Sequence, residues 1–217
     1  MDISKRVDMT SSSPPPQSGI DRREAIKRVS VLLGGLAFGG SGLLNAIENA
    51  HARAARVTAT RASVGAFTAQ DIALLDEVAD TILPDTKTPG AKAAHTGAFM
   101  ALMVTDTYDD QQQATFKDGV QKLNAAGFMT KTPADRLAFL EQLDKDAKAY
   151  MDARPRGAGG AGGAPPHYFR QIKELTLMGY FTSEIGCKQA MRYEETPGRY
   201  EPCVPYTPGE TSWAGHA

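Results

Sequence analysis

The sequence predicts an all-α protein, a small irregular helical bundle with an extended C-terminal arm. Apolar residues recur at helical spacing in five separate stretches after residue 67. Thr or Asp stands before several of these stretches, as expected of helix N-caps. Four prolines between residues 196 and 210 exclude regular helix there and predict an extended, turn-rich arm.

Composition and charge argue against several classes of function. The chain has 217 residues, of which 41 % are hydrophobic, so it can bury a sizeable core. Its formal net charge is −1, and this balance gives no reason to expect a nucleic-acid partner. Its two cysteines are too few for a tetrahedral zinc site or an iron–sulfur cluster of their own.

The N-terminal segment has the pattern of an export signal. Residues 1–17 are rich in Ser and Pro and are predicted to be disordered. The adjacent Arg22 and Arg23 precede an apolar run over residues 29–44, which is too short and too rich in glycine for a stable membrane span. Small-x-small cleavage sites follow within residues 50–54, so the segment resembles a twin-arginine signal. An uncleaved anchor and a helix of the fold are the alternatives.

We therefore expect a disordered start and an export signal over residues 1–54, and a helical domain over residues 55–217. The first helix of that domain is expected after Thr68, which would cap it together with Asp71 in a capping box. Pro84 is expected to end this helix.

Four further helices are expected in order. The second lies around Phe99–Met103, and the third begins at a cap formed by Asp109 or Asp110. Thr132 followed by a proline predicts the start of the fourth helix. The fifth is expected to run from about Tyr168 to Gly186.

The glycine-rich stretch at residues 157–166 is predicted to be a flexible connector. Its letters match the dinucleotide-binding pattern G-x-G-x-x-G. That pattern binds phosphate only between a strand and a helix, whereas a charged helical segment precedes it here. Nucleotide binding is therefore not expected.

Candidate catalytic residues are sparse. The sequence has no Glu-x-x-His pair for a di-iron bundle and no Cys-x-x-Cys-His motif for covalent haem. His51 would leave with the signal, and His167 is expected to be a surface or capping residue at the start of the last helix. We expect no catalytic, cofactor-binding or metal-binding residue in this chain.

Cys187 and Cys203 are predicted to form a disulfide that pins the arm. An even cysteine count in an exported protein favours this pairing, and a loop of this length would contribute about 3 kcal/mol. Two unpaired buried thiols and a cysteine linked to a partner are the alternatives.

Two stretches carry a resemblance to a known family. They are "ADTILPDTKTPGAKAA", which begins at Ala79, and "FRQIKELTLMGYFTSEIGCKQAMRYEETPGRYEPCVPYTPGE", which begins at Phe169. With the signal they resemble the small subunit of the gluconate 2-dehydrogenase complex, also called subunit 3 or the gamma subunit. The glycine-rich connector and His95 depart from the pattern of that family.

The resemblance implies a non-catalytic role in a periplasmic complex. Such subunits accompany a large flavin-containing subunit of the glucose-methanol-choline class, which oxidises a sugar or a sugar acid. FAD would then belong to that subunit, a multihaem cytochrome c often takes the electrons, and the complex can sit at the outer face of the inner membrane. The small subunit supplies the signal read by the twin-arginine translocase and stays bound.

Aromatic and arginine side chains in the last helix and the arm are the expected docking surface, because such residues anchor many interfaces. About half of the aromatic side chains are expected to pack within the chain itself. The candidates are Tyr180, Phe181, Arg192, Tyr193, Arg199, Tyr200, Tyr206 and Trp213.

Two other functions remain open from the sequence. One is a small exported redox protein with a cofactor at His95, at His167 or at the cysteines. The other is a free-standing periplasmic binding module whose partner is not an oxidoreductase.

Overall fold

A computed structural model of the chain describes residues 41–154, 165–194, 198 and 203–214. Within these residues the fold is helical, which confirms the predicted class, and extended pairing is limited to two single bridges. A 3₁₀ turn at Phe128–Thr130 lies between the fourth and fifth α-helices, and a π-helical turn at Gly186–Ala190 follows the last one. The helices are α1 (Ser41–Thr60), α2 (Ala69–Ile82), α3 (Thr96–Thr107), α4 (Asp110–Ala125), α5 (Pro133–Asp152) and α6 (Tyr168–Phe181).

The predicted caps at the starts of α2, α4 and α5 are confirmed. Thr68 accepts a hydrogen bond from the Asp71 amide at 3.2 Å, and the Asp71 carboxylate accepts one from the Thr68 amide at 2.9 Å. Asp109 forms the same reciprocal box at α4. Thr132 caps α5 with a proline at the first helical position. Each cap satisfies amides that the first turn of a helix leaves without partners.

The core lies where α2, α3 and α6 pack together. Helix α3 is buried at every position from Thr96 to Val104, so it forms the centre of the bundle. Gly179 allows α6 to approach it, because a Cβ there would lie 2.7 Å from the Phe99 ring. Gly97 has the same role between α3 and α2, where a Cβ would lie 2.6 Å from Asp76 N and from Ile72 O. None of the described helices is long and apolar enough to cross a membrane.

Helix α1 extends the compact unit toward the N-terminus, and that unit begins at Leu44. Ile47, Ala50 and Ala54 of α1 are buried. The boundary predicted after residue 54 therefore falls inside a helix that packs on the core. Removal of residues 1–54 would take away these buried side chains.

Helix α6 ends at Phe181, five residues before the predicted end. The Ser183 hydroxyl donates to Tyr180 O at 2.6 Å and accepts from the Gly186 amide at 3.0 Å, so the chain folds back over the end of the helix. Gly186 permits this turn, because a Cβ there would lie 1.9 Å from Tyr180 O.

Candidate partner-docking surface

One edge of α6 carries exposed apolar side chains. Leu177 and Phe181 are 38 % and 37 % exposed and lie one turn apart on the same side of the helix. Phe169, Ile172 and Leu175 on the other side are buried. The edge is therefore available to a partner, while the opposite side of α6 belongs to the core.

Beside this edge, α5 and α6 form an open groove of about 460 Å³. Ala147 and Met151 line it together with Leu177, and ion pairs stand along its sides. Lys173 donates to both carboxylate oxygens of Asp144 at 2.8 Å, which joins the two helices. The groove thus has an apolar lining between paired charges.

Tyr180 belongs to the core and not to the surface. It is 4 % exposed, and its hydroxyl donates to Pro89 O at 2.7 Å. This contact ties α6 to the connection between α2 and α3. Of the predicted docking residues, Tyr180 therefore has a structural role.

Arg192 holds the end of the arm. Its amide donates to Ser212 O at 2.9 Å, and its carbonyl accepts from the Ala214 amide at 2.7 Å. Its guanidinium lies over the Trp213 ring, 4.6 Å from the centroid, and Nη1 donates to Glu210 at 3.1 Å. We call this set of contacts the Arg192–Trp213 clasp.

The structure does not support the expected disulfide. Cys187 and Cys203 are both free, and the first is buried while the second is exposed. The Cys187 thiol lies in the π-helical turn and donates to Phe181 O at 3.2 Å, and burial raises its pKa. The Arg192–Trp213 clasp, and not a disulfide, therefore holds the described part of the arm.

The arm exposes apolar and aromatic side chains. Tyr206 is 72 % exposed and Trp213 is 51 % exposed, with Val204 and Tyr193 also open to solvent. Arg199 and Tyr200, the other arm residues predicted to dock, lie outside the described residues. So do Arg22 and Arg23 and most of the predicted connector.

His95 and His167, the histidines considered as possible cofactor ligands, lie in different surroundings. His167 caps α6, because its Nδ1 accepts from the Phe169 amide at 3.2 Å, and burial lowers its pKa. His95 precedes α3 in a left-handed conformation with φ of 54°, and its buried Nδ1 has no hydrogen-bond partner among the described residues. Among the described side chains, no group of three or more His, Cys, Asp or Glu is placed to hold a metal ion.

His51 was expected to leave with the signal, yet it contacts the core. Its ring stacks on Phe99 with centroids 4.5 Å apart. The Thr182 hydroxyl donates to Met178 O at 2.6 Å, so it accepts from Nε2–H of His51 at 2.9 Å. Burial lowers the pKa of His51 to about 4, which keeps the ring neutral.

Asp76 is a functional candidate that sequence reasoning missed. It lies in α2, is 7 % exposed, and accepts a hydrogen bond from the Gly97 amide at 2.7 Å. His95 precedes α3 without a side-chain cap, so Asp76 caps that helix from a neighbouring one. Burial raises the pKa of Asp76 to about 6, against the lowering effects of this hydrogen bond and of Lys92. The sequence signal that could have identified it is the position of Asp76, an acidic residue among apolar residues that recur at helical spacing.

The family model of gluconate 2-dehydrogenase subunit 3 matches residues 69–198, which is more than half of the chain. The match covers α2 to α6 and the start of the arm. Comparison with curated proteins and with solved structures finds no match.

Proposed function

Because the chain belongs to the gluconate 2-dehydrogenase subunit 3 family, we propose that it is the non-catalytic small subunit of a periplasmic, flavin-dependent dehydrogenase for a sugar or sugar acid. The large partner is a flavoprotein of the glucose-methanol-choline class and holds the FAD. This chain stabilises that partner and carries the signal that exports both. A multihaem cytochrome c accepts the electrons at the outer face of the inner membrane.

The exposed arm is the observation that carries the docking role. Val204, Tyr206 and Trp213 are all more than half exposed, and apolar and aromatic surface of this kind marks binding sites. The Arg192–Trp213 clasp holds the last part of the arm in place before binding. A segment ordered in advance loses less conformational entropy when it docks.

The edge of α6 provides a second part of the surface. Leu177 and Phe181 are exposed in a helix that is otherwise fixed by the core, so they offer a rigid apolar strip. In this proposal the large subunit contacts that strip and the arm together. The ion pairs of the α5–α6 groove form its polar rim.

A double variant of the arm tests the docking role. Val204→Ser with Tyr206→Ser removes exposed apolar surface and leaves the core unchanged. We expect the amount of flavoprotein that co-purifies with the tagged chain to fall at least about tenfold, as for the loss of interface hot spots. The bound flavin and the sugar-acid dehydrogenase activity of the eluate measure this amount.

Leu137→Ser is the matched control, because Leu137 is also half exposed but belongs to α5 and not to the arm. It should retain the flavoprotein at the wild-type level. Full retention by the double variant would contradict docking through the arm.

A further inference from the structure

A second open pocket lies on the molecule, between α1 and α2, and its volume is about 400 Å³. Val57 and Ile72 form apolar walls, and Asp76 lies among the lining residues together with Thr58. Arg61 also lines the pocket and is exposed. All of these residues follow residue 54, so they remain in the chain whether or not the predicted signal is removed.

Two polar groups of this pocket have unused hydrogen-bonding capacity. One oxygen of Asp76, Oδ1, accepts from the Gly97 amide, and no described residue hydrogen-bonds to Oδ2. The Thr58 hydroxyl is buried and has no partner among the described residues. A buried hydroxyl without a partner is uncommon unless a ligand or water completes it.

The cap on α3 does not require the negative charge of Asp76. A neutral asparagine in this position would offer the same oxygen to the Gly97 amide. Burial disfavours the ionised form, so the carboxylate is retained at a cost to stability. Lys92, the cation of this chain that acts on Asp76, is already paired with Glu77. The charge is therefore available to a group from outside.

We propose that this pocket receives a lysine or arginine side chain of a protein partner. The alkyl stem packs on Val57 and Ile72, and the charged head donates to the free oxygen of Asp76 and to the Thr58 hydroxyl. The exposed guanidinium of Arg61 favours an acidic group next to the inserted base in the partner chain. The identification of this partner as the large flavoprotein rests on the proposed function.

Titration of the isolated chain with N-butylguanidinium chloride tests the pocket. The backbone amide of Gly97 is the reporter in two-dimensional ¹H–¹⁵N NMR spectra, because it donates to Asp76. We expect a saturable shift with a dissociation constant on the order of millimolar. N-butylurea has the same shape without the charge, and it should produce no saturable shift.

Asp76→Asn should abolish the saturable shift while the remaining spectrum stays that of the folded chain. Thr58→Val should weaken binding several-fold, and Asp118→Asn, an exposed acid in α4, should leave it unchanged. Equal shifts with butylurea, or unchanged binding in the Asp76→Asn variant, would overturn the proposal.

The role of the pocket in the complex is measured separately from the arm. If the flavoprotein supplies the base, Asp76→Asn should reduce its co-purification about tenfold, whereas Asp118→Asn should not. Loss of co-purification in the arm variant with an inactive pocket titration would retain the proposed function and reject the pocket. A positive titration with no flavoprotein captured by the wild-type chain would retain the pocket and reject the proposed function.

Discussion

Asp76 is the residue whose charge conflicts most clearly with the stability of the fold. Its hydrogen bond to the Gly97 amide favours the ionised form, but desolvation within the bundle has the larger effect on its pKa. Buried acids with a raised pKa cluster at functional sites, which makes Asp76 a candidate for one.

Asp76→Asn should change how stability depends on pH. Folding raises the pKa of Asp76 from 3.8 to about 6, so the associated stability is present below pH 3.8 and is lost as the pH rises through 6. Asparagine does not ionise, so the variant does not lose this stability. We expect the free energy of unfolding of the variant, relative to that of wild type, to increase by about 2 to 3 kcal/mol from acid to neutral pH. Urea unfolding at about pH 4 and about pH 7.5 measures the difference.

Glu77 and Lys92 are present in both the variant and the wild type, so their own titrations cancel in the difference between the two proteins. Their ion pair lowers the pKa of Glu77 and raises that of Lys92. A difference between variant and wild type that stays constant across the two pH values would show that the ionised carboxylate carries no cost.

At the scale of elements, α1 is the helix that changes the interpretation of the N-terminus. Six of its ten apolar residues are alanine, and glycines precede it, so its sequence matches an export signal better than a core helix. The structure nevertheless places Ala54 in the core with no exposed surface and stacks His51 on Phe99. Such contacts depend on α3 and α6, which the local sequence of α1 does not reveal.

Two truncated chains measure what α1 contributes. A chain that begins at residue 44 keeps Ile47, Ala50 and the stack of His51 on Phe99, whereas a chain that begins at residue 55 loses all three. We expect the shorter chain to be about 3 kcal/mol less stable, from the lost apolar burial and the ring contact. Urea unfolding monitored by circular dichroism compares them, and equal midpoints would show that residues 44–54 of α1 add no stability.

The other elements differ in how far the sequence could predict them. The starts of α2, α4 and α5 were predictable because their caps are local, formed within four residues by Thr or Asp. The end of α6 was not, since it depends on Ser183 and Gly186 folding the chain back. The arm was predicted to be extended, but the contact between Arg192 and Trp213 that holds it was not predicted. No spacing in the sequence identifies that contact.

At the scale of the whole molecule, the described residues combine a rigid core with two separate outward features. The arm and the edge of α6 present apolar surface, and the α1–α2 pocket presents a carboxylate. The family match agrees with a chain that works as part of a complex. The docking surface could be predicted only in part, because burial decides which aromatic side chains reach solvent and Tyr180 does not.

The most direct test of the proposed role is the location of the large subunit when the paired arginines are changed. Arg22→Lys with Arg23→Lys should leave both this chain and the flavoprotein in the cytoplasm, because in our proposal only this chain carries an export signal. Arg28→Lys, a change at a basic residue outside the pair, should leave export intact. Cell fractionation followed by immunoblotting of both subunits measures the outcome. A flavoprotein that still reaches the periplasm with the double variant would contradict the escort role.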